Sequence, residues 1–97
     1  MKTIKEIKKV IEENREVIAK EFKVEIIGIF GSYVRGEQNA RSDVDILVRF
    51  KEGATLLDLT GLGDFLEEKL GIKVDIVSES AVRPEIKEQI LKEVVTI

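Results

Sequence analysis

Gly31-Ser32-Tyr33-Val34-Arg35-Gly36, followed after a short polar stretch by Ser42-Asp43-Val44-Asp45-Ile46-Leu47-Val48, sets a Gly-Ser pair and an Asp-x-Asp on either side of a ten-residue gap. A small turn followed by a hydroxyl suits phosphate, and two carboxylates on alternate residues of a strand suit divalent cations. Together they read as a metal-nucleotide site. Ahead of this block, Val24-Glu25-Ile26-Ile27-Gly28-Ile29-Phe30 is almost wholly apolar and too short for a typical helix, which predicts a central strand covered on both faces. Behind the gap, the stretch from Asp43 to Phe50 alternates as a second strand, with Asp43, Asp45, Leu47 and Arg49 on one face.

Working outward, Thr3 with Glu6 forms a capping box, and Ile4, Ile7, Val10, Ile11, Val17 and Ile18 recur at helical spacing to about Glu21. Thr55 with Asp58 caps another helix, with Leu59, Leu62, Leu66 and Leu70 as its stripe and Gly71 as its end. Gly61 and Gly63 weaken that helix by roughly 1 kcal/mol each against Ala. Either a close contact requires them or the helix starts later. Ile72 to Val77 alternates as a third strand, Ser78-Glu79-Ser80 reads as a helix-entry turn, and Pro84 opens a last helix carrying Ile86, Ile90, Leu91 and Val94. The predicted order is α-β-β-α-β-α, with room for a short helical turn starting at Ser32 and residues 36–42 as the mobile loop.

The 97 residues make one domain over 1–97, with 43% hydrophobic and 36% charged residues. A net charge of −3 denies the chain the overall positive field of a stand-alone nucleic-acid binder, so a nucleic-acid substrate is disfavoured unless Lys and Arg gather beside the site. Without Cys or His, chemistry here falls to carboxylates, hydroxyls and cations. No run approaches the roughly 20 apolar residues of a membrane span, and the charged amino end has no signal core, so a soluble cytoplasmic protein is expected.

Residues i and i+2 of a strand lie roughly 6.5–7 Å apart and face the same way, so Asp43 and Asp45 suit ions held between them. Like charges side by side repel without a cation, which makes this pairing costly on an otherwise apolar strand. The plainer alternative is a turn residue at Asp43 and a solvent-facing Asp45. Asp75 interrupts an apolar run, and a third strand beside the second brings it to the same face. It would then complete a carboxylate set for two metal ions and be able to accept the proton of an attacking hydroxyl. Its alternative is a surface partner for Lys73 or Arg49. Gly31 and Ser32 suit phosphate through backbone N–H groups and a hydroxyl, or else form an ordinary turn with Ser32 as N-cap. Arg35 either neutralises phosphate oxygens or pairs with Glu37 or Asp43. Tyr33 and Ser42 read as packing and turn residues.

Gly31-Ser32, ten residues, Asp43-x-Asp45 and then Val74-Asp75-Ile76-Val77 resemble the minimal nucleotidyltransferase (MNT) family of the polymerase-β-type superfamily, over nearly the whole chain. The resemblance implies an α/β (α+β) fold, a small mixed sheet with helices mainly on one face. It implies Asp43, Asp45 and Asp75 as catalytic ligands of two Mg2+ ions, with Gly31, Ser32 and Arg35 on the nucleotide. Many such proteins accompany a HEPN-domain toxin, so the resemblance implies an antitoxin that transfers AMP from ATP to a tyrosine hydroxyl of a HEPN RNase and releases pyrophosphate. A hetero-oligomer with that toxin is the corresponding assembly. The alternative is a non-catalytic, nucleotide-sensing antitoxin or regulatory subunit that neutralises its partner by contact.

Overall fold

A computed structural model describes residues 2–97. Thr3 opens α1 (Ile4–Glu13): its hydroxyl accepts from the Glu6 N–H at 3.2 Å, and the Glu6 carboxylate accepts from the Thr3 N–H at 3.0 Å. Periodicity predicted one helix to about Glu21, but the chain leaves helical geometry at Asn14, with φ −109° and ψ 10°. The Asn14 side-chain amide donates to the Val10 carbonyl at 2.7 Å, the local competition with the helical ladder that makes Asn a poor interior residue. A second helix, α2 (Arg15–Phe22), then carries Ile18 inward and leaves Val17 45% exposed.

Lys23 turns the chain into β1 (Val24–Phe30), the short helix α3 (Ser32–Arg35) follows, and β2 (Val44–Phe50) returns beside β1. Next come α4 (Leu56–Leu70), β3 (Val74–Ser78), a 3₁₀ turn at Glu79–Ala81, α5 (Pro84–Glu93) and β4 (Val95–Thr96). The sheet order is β3-β2-β1-β4, with β2–β3 parallel and the other pairs antiparallel, so the sheet is mixed and β1 lies inside it. The observed order therefore adds a helix break and β4 to the predicted one, and α3 is the short helical turn read from Ser32. Val94, read as part of the last helix, is its C-cap, extended at φ −59° and ψ 134°.

Pairing along β1 jumps from Ile26↔Val48 to Gly28↔Leu47, so Ile27 is the extra residue of a bulge. The bulge resets alternation and lets Val24, Ile26 and Ile29 all face one layer. On that face Val44, Ile46 and Val48 of β2 meet Ile7, Ile11 and Ile18, together with Leu62, Leu66 and Leu70 of α4. The question left open at α4 is answered by packing: the helix begins at Leu56 with Thr55 as its cap, and a Cβ on Gly61 would stand 3.0 Å from Cε1 of Phe22. Gly63 is under no such pressure, its nearest neighbour being Cγ1 of Ile76 at 3.9 Å. The opposite sheet face carries Asp45, Leu47, Asp75 and Val77 and is bordered by α5, whose Ile90 is buried. Among the described residues no helix is long and apolar enough to cross a membrane.

Candidate active site

β1 ends at Phe30, and Gly31 reverses the chain with φ 84° and ψ −153°. Two constraints meet at this glycine. Its φ lies where side chains are disfavoured, and a Cβ there would collide with the Asp45 carboxylate. Its carbonyl accepts from the N–H groups of Val34 and Arg35 at 3.0 and 3.1 Å, which closes α3. Ser32 is thus the first helical residue and Gly31 the cap, the reverse of the ordinary-turn alternative. Tyr33 is 3% exposed and belongs to the core. The loop that follows is tied internally: the Asn39 N–H donates to the Ser42 hydroxyl at 2.9 Å, and the Arg41 N–H to the Asn39 side chain at 2.8 Å.

The parallel register of β2 and β3 makes Asp45 and Asp75 direct neighbours, and Phe30 pairs with Asp45 on the other side. Asp45, Asp75, Gly31 and Arg35 line one cleft of about 690 Å³. Burial pushes the Asp45 carboxyl up from 3.8 to about 6, helped by the negative charges of Asp75 and Asp43 and by a hydrogen bond that the protonated acid makes to Asp75; the Arg35 charge works the other way. Asp43 precedes β2 and is not held by the strand ladder. It lines a neighbouring cleft of about 780 Å³ together with Arg41 and Lys73.

Convergence on a single cleft therefore describes Asp45 and Asp75, while Asp43 lines the neighbouring one. Among the described residues no three carboxylates form a ready-made ligand group. The donors are all carboxylate oxygens, the hard ligand set that suits magnesium, and the raised Asp45 acid marks where a cation would relieve the pair.

Arg35 donates from Nε to Glu37 and from Nη1 to Glu93, both at 2.7 Å, and does not take Asp43 as partner. Ser32 adjoins Gly31 without lining the cleft. Arg49, one alternative partner for Asp75, is bound to Glu79 at 2.9 Å, and Lys87 of α5 reaches the same carboxylate at 3.6 Å. These pairs tie the 3₁₀ turn and α5 to the sheet. Sequence reasoning missed the α5 wall of the cleft, including Gln89 and Glu93. Its only trace in the sequence is that Ile86, Gln89 and Glu93 recur at helical spacing.

A mixed sheet whose first strand runs into Gly31-Ser32, whose second carries Asp45 just after Asp43 and whose third sets Asp75 alongside has the arrangement of a nucleotidyltransferase domain. The chain belongs to the nucleotidyltransferase domain family, whose family model matches residues 4–97, and within it to the minimal nucleotidyltransferases. It is 42% identical to protein adenylyltransferase MntA of Thermococcus cleftensis over 97 residues, covering 100% of this chain and 98% of that protein. A solved structure described as "putative minimal nucleotidyltransferase" superposes with a TM-score of 0.76 at 39% identity, covering 92% of this chain and 94% of that one. The same fold recurs, at 20% identity and a TM-score of 0.62, in a solved complex of a tri-AMPylated Shewanella oneidensis HEPN toxin with MNT antitoxin; the match covers 91% of this chain and 69% of that one.

Proposed function

We propose that the chain is a magnesium-dependent protein adenylyltransferase, the antitoxin of a cytoplasmic pair, which transfers AMP from ATP to a tyrosine of a HEPN RNase toxin in a hetero-oligomer. The observation that carries this reading is the side-by-side placement of Asp45 and Asp75 in a cleft shared with Gly31 and Arg35. The name of the Thermococcus cleftensis relative and the AMPylated toxin of the Shewanella complex support the acceptor class.

In this reading Gly31 gives the triphosphate close access to the backbone, Ser32 offers its hydroxyl, and Arg35 exchanges a carboxylate partner for phosphate oxygens. Asp43, Asp45 and Asp75 would hold magnesium, which when bound would offset the charge of the triphosphate and make the attacking hydroxyl more acidic. Asp75 takes the proton of that hydroxyl. The acceptor oxygen bonds to the α-phosphorus, the bond from the α-phosphorus to the oxygen bridging it to the β-phosphorus breaks, and pyrophosphate leaves. The partner interface orients the acceptor, and orientation supplies much of the rate in such transfers.

The test is the intact mass of the cognate HEPN protein after incubation with ATP, magnesium and either the wild type or Asp43→Ala. Added AMP is expected only with the wild type, together with loss of RNase activity. Equal neutralisation by both proteins without added AMP would establish the contact-only antitoxin instead.

A further inference from the structure

The cleft beside Asp45 changes character along its length. One end holds Asp45, Asp75 and Arg35, with Phe30 beside Asp45, while farther along the walls are apolar, with Val77 on the sheet and Ile86 and Ile90 on α5. Val77 follows Asp75 by two residues, so it shares the same sheet face roughly 6.5–7 Å farther on. Ile86, Gln89 and Glu93 recur three and four residues apart and lie along one side of α5. Glu93 is bonded to Arg35 at the acidic end. Gln89 is the one neutral amide among the residues lining the cleft.

We infer that this apolar end is the nucleobase subsite and that Gln89 selects adenine there; the inference rests on the nucleotide chemistry proposed above. A nucleotide joins a flat apolar body with a polar edge to an anionic group one sugar away, and the cleft presents the same sequence of environments. Its volume of about 690 Å³ is that of an ordinary small-molecule site. Val77, Ile86 and Ile90 offer apolar contact to the faces of a base. A glutamine amide sets an acceptor beside a donor, which complements the exocyclic N–H and neighbouring ring nitrogen of adenine. Guanine presents two adjacent acceptors on its corresponding edge and leaves one amide atom mismatched. The other polar groups at the cleft are charged. Arg35, Glu93 and the two aspartates match phosphate or cation rather than the edge of a neutral base.

The experiment is calorimetric binding of non-hydrolysable ATP and GTP analogues, with magnesium, to the wild type, Gln89→Leu and Ile86→Asp. The wild type is expected to prefer the adenine analogue by about tenfold or more, and Gln89→Leu to bring the two within about twofold. Ile86→Asp, checked for folding by circular dichroism, is expected to weaken both analogues by about tenfold, because it sets an anion in the apolar wall. An adenine preference unchanged in Gln89→Leu overturns the role of Gln89, and a wild type that binds both analogues equally overturns adenine selection. Unchanged affinity in a folded Ile86→Asp puts the base elsewhere. Failure of the wild type to bind either analogue has a different meaning, since it overturns the nucleotide chemistry on which the inference stands.

Discussion

Replacing Asp45 with Asn is expected to stabilise the metal-free protein at neutral and alkaline pH while abolishing nucleotide transfer. The Asp45 acid is raised from 3.8 to about 6, first by burial and then by the charges of Asp75 and Asp43. The sign follows from linkage: the folded state holds the proton more tightly than the unfolded one, so stability is fully present below about pH 4 and falls as pH rises through about 6. At 1.36 kcal/mol per pH unit this is about 3 kcal/mol, and screening at a half-exposed, open cleft brings it to about 1–2 kcal/mol. For a domain of this size that corresponds to a gain of roughly 5–15 °C in Tm at pH 8. The assay is thermal unfolding by circular dichroism of wild type and Asp45→Asn in EDTA from pH 4 to pH 8. Effects of acidic groups remote from Asp45 cancel in the difference between the two proteins. That difference should grow with pH, and magnesium should raise the wild-type Tm more than that of the variant. A difference independent of pH, or a variant less stable than the wild type at pH 8, would refute the electrostatic reasoning.

Gly31→Ala should cost about 2 kcal/mol or more in urea unfolding, because it combines a left-handed φ with a collision against the Asp45 carboxylate. Combining it with Asp45→Ala should recover part of that cost but not the backbone strain, a non-additivity that a double-mutant cycle measures. Gly63→Ala should gain about 1 kcal/mol from helix propensity, since its new methyl meets Ile76 at ordinary contact distance. Gly61→Ala should gain nothing or lose stability, because the Phe22 ring would have to move from its packing against Phe65 at 5.4 Å between centroids; equal gains at the two glycines in thermal unfolding would refute that packing account.

The fold was legible wherever periodicity ran long enough to be read. The apolar run of β1, the alternation of β2 and β3 and the leucine stripe of α4 all follow from local pattern. Three features do not. The break at Asn14 depends on one side-chain bond to Val10 that competes with a helical ladder the periodicity favours. The bulge at Ile27 adds one residue inside a run apolar at nearly every position, where a shift in alternation leaves no mark. The two residues of β4 are too few to show a period, and their pairing with Gly28 and Ile29 is decided by tertiary placement. Gly61 belongs with them: its reason is Phe22, close in space and far along the chain.

The candidate site divides on the same line. Asp45 and Asp75 meet because strand alternation aims each to a face and the parallel register makes them neighbours, and both facts have traces in the sequence. Asp43 obeys the same spacing rule but precedes the ladder, so nothing in the backbone obliges it to follow Asp45 into the cleft. Alternation says where a residue would point if it belonged to the strand, and only pairing makes it belong. The α5 wall lies beyond both rules. Pro84 and the spacing of Ile86 and Ile90 announce a helix, but which sheet face it borders depends on tertiary packing, where Ile90 is buried and Glu93 meets Arg35. The parts of the site that address phosphate and metal are therefore written in short local motifs. The part inferred to address the base is written in the docking of a helix, so its specificity becomes visible only once the chain is folded.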